Sequence, residues 1–251
     1  MTRTAVFALL AVMAASAQPA TRRPHPQAGP TPRLADGKPD FGGNGVWNPH
    51  YTGNMAATRY HGAPGVDAEV DVPFLPWAKK LFDERQVSQA KDDPEARCMP
   101  AGLPRYMFTP YPFEMIQTGN RVIFLYEGSA HIWRIVPIGD NLKHPADPNP
   151  TWMGDSIGHW EGDTLVVDVV GFNDKAWLDQ AGHPHTEALH LIERFTRTDS
   201  LTLKYEVTVD DPKTYARPWS TSLTIPYMPG GHLLEYICQE DNVDVPHMVG
   251  K

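Results

Sequence analysis

From Phe113 onward the chain is a succession of short strand-like runs with no helical pattern between them. The runs are Phe113 to Gln117, Val122 to Tyr126, His131 to Pro137, Ser156 to Trp160, Thr164 to Val170, Ala188 to Thr196, Leu201 to Val209, Ser220 to Tyr227 and Leu233 to Gln239. Turn residues such as Gly119-Asn120, Glu161-Gly162-Asp163 and Pro229-Gly230-Gly231 separate many of them. Strands joined this closely pair antiparallel, whereas parallel pairing needs crossover segments that the sequence does not supply. In Leu201 to Val209, Leu201, Leu203, Tyr205, Val207 and Val209 share one face and Thr202, Lys204, Glu206 and Thr208 the other, which fixes an inside. Such a meander closes into a barrel or folds into a sandwich. The expectation is a mainly β protein, an antiparallel up-and-down β-barrel, because closure leaves the upstream chain free to cap one mouth.

The chain holds 25 prolines and 20 glycines in 251 residues, which favours turns over long helices. One helix is predicted, Phe74 to Gln89, with Leu75, Ala78, Leu81 and Phe82 at helical spacing and Pro76 in the first turn. At the N-terminus, Arg3 precedes an apolar run from Ala5 to Ala14 and the small residues Ala15-Ser16-Ala17. That order is a secretory signal, with cleavage expected before Gln18. The run is shorter than the roughly 20 residues that span a bilayer. Residues 18–38, Pro-rich and basic with Arg22, Arg23 and Arg33, read as a disordered linker. Residues 39–251 then form one barrel domain with an N-terminal arm and a flanking helix. A secreted or periplasmic location follows, with no membrane insertion after cleavage. In that compartment Cys98 and Cys238 are expected to form a disulfide, a thiol nucleophile being the alternative. The net charge of −8 disfavours nucleic acid as a partner.

The strings WMGDSIGHWEGDTLVVDVVGFND, GHPHTEALHLIERF, DDPEARC and the terminal HMVGK together resemble a family of uncharacterised secreted bacterial proteins. The resemblance implies secretion and a single domain and names no activity. The barrel half is similar in general layout to lipocalin-like proteins, a likeness of fold alone.

The loop from Gly171 to Glu187 is the densest polar stretch, with Asp179, His183 and His185 followed by His190 and Glu193. Histidines and carboxylates can serve as acid and base near neutral pH. His185 or His190 is read as the base and Glu193 or Asp179 as its partner, with His183 and His131 as further catalytic candidates. The same composition fits a solvated loop whose side chains satisfy turn backbone. Glu193 lies on the apolar face with Leu189, Leu191 and Phe195, so it needs a buried partner such as Arg134 or Arg121, or serves as an acid. His183 and His185, one residue apart, are an alternative ligand pair for a transition metal; no cofactor is predicted. Trp152, Trp177, Trp219, Tyr126 and Tyr205 are read as a wall for an apolar or aromatic small molecule, core packing being the other use of such residues. There is no nucleophile elbow, phosphate-cradling loop, dinucleotide fingerprint or H-E-x-x-H helix. The expected function is a secreted enzyme of lyase, isomerase or hydrolase type acting on a ligand held in the barrel; the alternative is a non-catalytic carrier of a hydrophobic ligand.

Overall fold

The computed structural model describes residues 27–88, 91–129, 132–240 and 242. The expected signal peptide and the first part of the linker lie outside the described residues. Eleven strands are present: β1 (Gly45–Trp47), β2 (Arg59–Tyr60), β3 (Ala63–Pro64), β4 (Phe113–Thr118), β5 (Arg121–Tyr126), β6 (Trp133–Pro137), β7 (Asp155–Glu161), β8 (Thr164–Val170), β9 (His190–Arg197), β10 (Thr202–Asp210) and β11 (Trp219–Pro229). All except β2 and β3 join one nine-stranded antiparallel sheet in the order β6-β5-β4-β1-β11-β10-β9-β8-β7. The sheet is a nearly closed up-and-down barrel, its ends meeting through the bridge Ile138↔Gly158. Gly158 permits that closure, because a Cβ there would lie 2.7 Å from Ile138 Cδ1.

Two corrections concern the sheet and the arm. Leu233 to Gln239, expected as a strand, runs outside the sheet, and β1 fills the ninth place between β4 and β11. Residues 27–38, expected to belong to a disordered linker, are tied to the barrel. The Gly29 N–H donates to Ser200 Oγ at 2.7 Å, and Arg33 forms two parallel bonds with Asp163 at 2.9 and 2.6 Å.

Strand alternation places the core as expected. Phe113, Phe124, Val136, Leu165, Val167, Leu191, Phe195, Leu203, Tyr205 and Ile225 are all fully buried. These large side chains pack against one another inside the barrel, as a sheet of this strand number allows. On β6 the outward face carries Trp133 and Ile135, which are exposed, while Arg134 and Val136 point inward. His131, expected to share the face of Trp133, lies outside the described residues.

Strand directions gather the long connections 48–112, 171–189 and 211–218 at one mouth, whereas the short turns lie at the other end, from which the connection 138–154 returns to the start of β7. One of those turns is the two-residue hairpin at Gly162-Asp163, where Gly162 has φ +61°. Helix α1 (Pro76–Val87) lies in the first long connection, begins on Pro76 at its first turn and buries Ala78. Cys98 and Cys238 form a disulfide across 140 residues. It straps the tail after β11 back to the mouth. Among the described residues no helix is long and apolar enough to cross a membrane.

Removing the bridge with Cys98→Ser and Cys238→Ser together should lower the unfolding free energy by about 3 kcal/mol in urea titrations. Hydrogen exchange should rise first in 233–240; unchanged exchange there would show that the strap does not hold the tail.

Candidate functional site

Asp179 organises the loop 171–189. Its Oδ1 accepts the backbone N–H groups of Gly182 and His183 at 3.0 and 3.1 Å, and its Oδ2 accepts the Met55 N–H and the His183 ring Nδ1–H, both at 2.7 Å. Burial pushes this carboxyl up, but the His183 ring and the N–H donors outweigh it and hold the group below the ordinary carboxylate range. His183 stacks on Phe74, centroids 5.4 Å apart, and leans on Phe82 of α1 at 4.5 Å. Asp179 and His183 therefore pin arm, loop and helix together and are closed to solvent.

His185 is buried as well. Its Nδ1 donates to the Thr186 carbonyl at 3.1 Å, which leaves Nε2 an acceptor buried without a partner among the described residues. Burial lowers its proton affinity, so the ring is held neutral. The two rings proposed as a ligand pair thus engage separate partners. Among the described residues no group of three or more His, Cys, Asp or Glu is placed to hold a metal ion.

Glu193 points into the barrel, as its parity predicts, and meets Arg134. The Arg134 NH2 group donates to Glu193 Oε2, the Tyr205 hydroxyl donates to Oε1 at 2.8 Å, and Arg134 Nε donates to Ser156 Oγ at 2.9 Å. Pair and hydroxyl are sealed from water, and burial pushes the Tyr205 phenol well up. Tyr126 and Tyr205 are therefore barrel core. Trp177 lies buried beneath the Arg85 guanidinium at 4.2 Å, Trp219 is packed beside His183 and Tyr215, and Trp152 is half-buried in the β6–β7 connection. The expected aromatic wall is dispersed.

His190 is the expected base that reaches solvent, with a third of its side chain exposed. Its Nε2 lies 3.0 Å from Asp168 Oδ2, Asp168 Oδ1 lies 2.9 Å from His144 Nε2, and His144 Nδ1 meets Asp155. This four-residue chain runs over the outer wall of β7, β8 and β9. The sequence reading missed His144, Asp155 and Asp168. Asp168 had a signal, since it is the one acid in the run LVVDVV and has outward parity; His144 had none, because its loop shows no period.

A cavity of about 400 Å³ opens at the mouth. It is built from segments far apart in sequence, with Tyr51, Arg105, Phe108, Tyr111, Gln180 and Tyr236 in its wall. A short helical turn, Arg105–Met107, sits on the barrel end, where Tyr106 stacks on Tyr126 at 4.6 Å and Phe108 meets Tyr205 edge-on at 6.0 Å. Those contacts aim Arg105 at Asp93, which it binds through two parallel bonds of 2.8 and 2.7 Å. Glu95 approaches the same guanidinium, Oε2 to NH2 2.6 Å. Burial pushes the Glu95 carboxyl up; Arg105 opposes this and Asp93 adds to it. The Tyr51 hydroxyl donates to Gln180 Oε1, and burial pushes that phenol up too. Among the described residues, none of the expected catalytic or substrate-binding side chains lines this cavity.

No protein-family model matches the chain, and no curated protein or solved structure matches it either.

If Asp179 acts through its charge, its stabilisation is present above the ordinary carboxylate range and is lost as pH falls through its lowered folded value. Asp179→Asn should then cost about 3 kcal/mol at pH 7 and clearly less at pH 3, read by urea denaturation. An equal loss at both values would assign the effect to shape alone.

Proposed function

We propose that the protein binds a small molecule in the mouth cavity and acts on it by acid–base chemistry, with Glu95 as the group that carries the proton. The observation behind this reading is a carboxyl raised by burial in the wall of a cavity of about 400 Å³ that opens at the mouth. A carboxyl whose proton affinity is raised can donate a proton to a leaving group, and in its ionised form can take one from carbon. Arg105 and Asp93 fix its position through an ion pair that Glu95 enters by Oε2. Tyr51 and Gln180 are placed to orient the ligand. The reaction class stays that of a lyase, isomerase or hydrolase, moved from the histidines of 171–190 to the carboxylates of 93–95. The polar wall argues for a ligand with polar groups rather than a purely apolar one. We place the protein outside the cytoplasm, a reading supported by the order of residues 1–17 and by the Cys98–Cys238 disulfide.

A carrier is the second reading. It is favoured by the engagement of both carboxylates with one guanidinium.

Native mass spectrometry of the purified full chain should show a bound small molecule. On incubation the wild type should convert it, and Glu95→Gln, at a ligand concentration that fills the site, should hold it without conversion. A molecule that the wild type holds and never alters would decide for the carrier.

A further inference from the structure

Charge and aromaticity in the mouth cavity go beyond the reading just given, on which the following rests. We infer that the ligand is an organic cation, an amine or quaternary ammonium group that also carries a hydroxyl or carbonyl oxygen.

Among the described residues the lining acids are Asp93, Glu95 and Glu240, and the lining cation is Arg105. One guanidinium against three carboxylates leaves an excess of two negative charges. Arg105 cannot offer charge to an anionic ligand, because Asp93 already occupies two of its N–H groups and Glu95 meets NH2. An anion entering here would face the remaining carboxylates, whereas a cation would relieve them. Burial, with the Asp93 charge added, pushes the Glu95 carboxyl up, as expected where counter-charge is short.

Four aromatic rings share the lining: Tyr51, Phe108, Tyr111 and Tyr236. Aromatic faces carry negative potential and hold ammonium groups by cation–π attraction, strongest where water is displaced. Carboxylates and aromatic rings in one lining are the chemistry that recognises alkylammonium ligands. A third observation specifies the oxygen. Arg105 is 5% exposed and its Nε–H, buried, has no acceptor among the described residues. A ligand hydroxyl or carbonyl would supply one.

A neutral polyol could also stack on tyrosines and bond to carboxylates, so the test separates charge from shape. The full chain is titrated by calorimetry with choline and with 3,3-dimethylbutan-1-ol, which keeps the shape and hydroxyl of choline and replaces nitrogen by carbon. Choline should bind at least tenfold more tightly, and its affinity should fall as salt is added. Glu95→Gln and Glu240→Gln should each weaken choline about tenfold and leave the neutral alcohol unchanged. Glu240 is exposed, so its variant keeps the test open should Glu95→Gln not fold. Equal binding of both compounds, lost in Tyr236→Leu, would overturn the cation assignment and leave the cavity as a ligand site. Choline binding indifferent to all three variants would place it elsewhere and overturn the cavity reading as well. Binding of neither compound would overturn the cation assignment, while conversion of the co-purified molecule would remain the separate measure of the cavity.

Discussion

The nine-stranded sheet closes because three residues, Gly45–Trp47, are inserted between two meanders that otherwise expose an edge each. β1 pairs with β11 over Gly45↔Pro229 to Trp47↔Tyr227 and touches β4 at Trp47↔Phe113. So short a strand gains little from its own ladder, and side chains hold it. Trp47 is fully buried and donates its indole N–H to the Phe41 carbonyl at 2.7 Å. The Arg197 guanidinium lies 5.0 Å from the Trp47 ring and 4.8 Å from the Tyr227 ring while donating to carbonyls of Asp40, Gly42 and Ser200. Gly45 is required by close approach, since a Cβ there would lie 2.4 Å from the Met228 carbonyl oxygen. Once this strand is seated, the chain that follows it leaves at the open mouth and has to cross it.

That crossing explains why His183 and His185 are buried. The arm, α1 and the loop 171–189 meet over the mouth with few strands to pair their backbone, and buried N–H groups need acceptors. Asp179 supplies them for Met55, Gly182 and His183 at once. Asp211 does similar work nearby, accepting from the Thr186 N–H at 2.6 Å and the Thr214 hydroxyl at 2.8 Å. The polar density of this loop is thus the cost of folding irregular chain over a barrel end. His183 contributes an aromatic face between two phenylalanines, and His185 is buried with one nitrogen tied to backbone.

The barrel was legible because period-two alternation is local: Leu203, Tyr205, Val207 and Val209 announce their face without reference to any partner. The inward course of Glu193, its pairing with an arginine such as Arg134, the one helix and the cysteine bridge were legible for similar reasons of parity, spacing and compartment. β1 was not, since three residues carry no period. The run Leu233 to Gln239 has the composition of a strand, but the bridge at Cys238 fixes it outside the sheet. The mouth cavity was hidden for a different reason. Tyr51, Glu95, Arg105, Gln180 and Tyr236 belong to separate segments that only barrel closure and the disulfide bring together, and each looks ordinary in its own stretch.

Two buried guanidinium–carboxylate clusters in the same fold show how structural and functional charge can be told apart. Arg134 and Glu193 are matched one to one, bonded further to Ser156 and Tyr205, and sealed inside the barrel. A dry site tolerates an ion pair only when its charges balance and its hydrogen bonds are met, and this one satisfies the first demand and most of the second. Arg105 is matched against two carboxylates, Asp93 and Glu95, and the imbalance is placed beside open volume. In a packed core that surplus charge would be expelled by protonation or by substitution. Next to a cavity it can persist, because water or a ligand can answer it. The position of the imbalance, beside the open volume of the mouth, separates Glu95 from Glu193, which also has an arginine for a neighbour but is fully buried, whereas Glu95 keeps 17% of its side chain exposed.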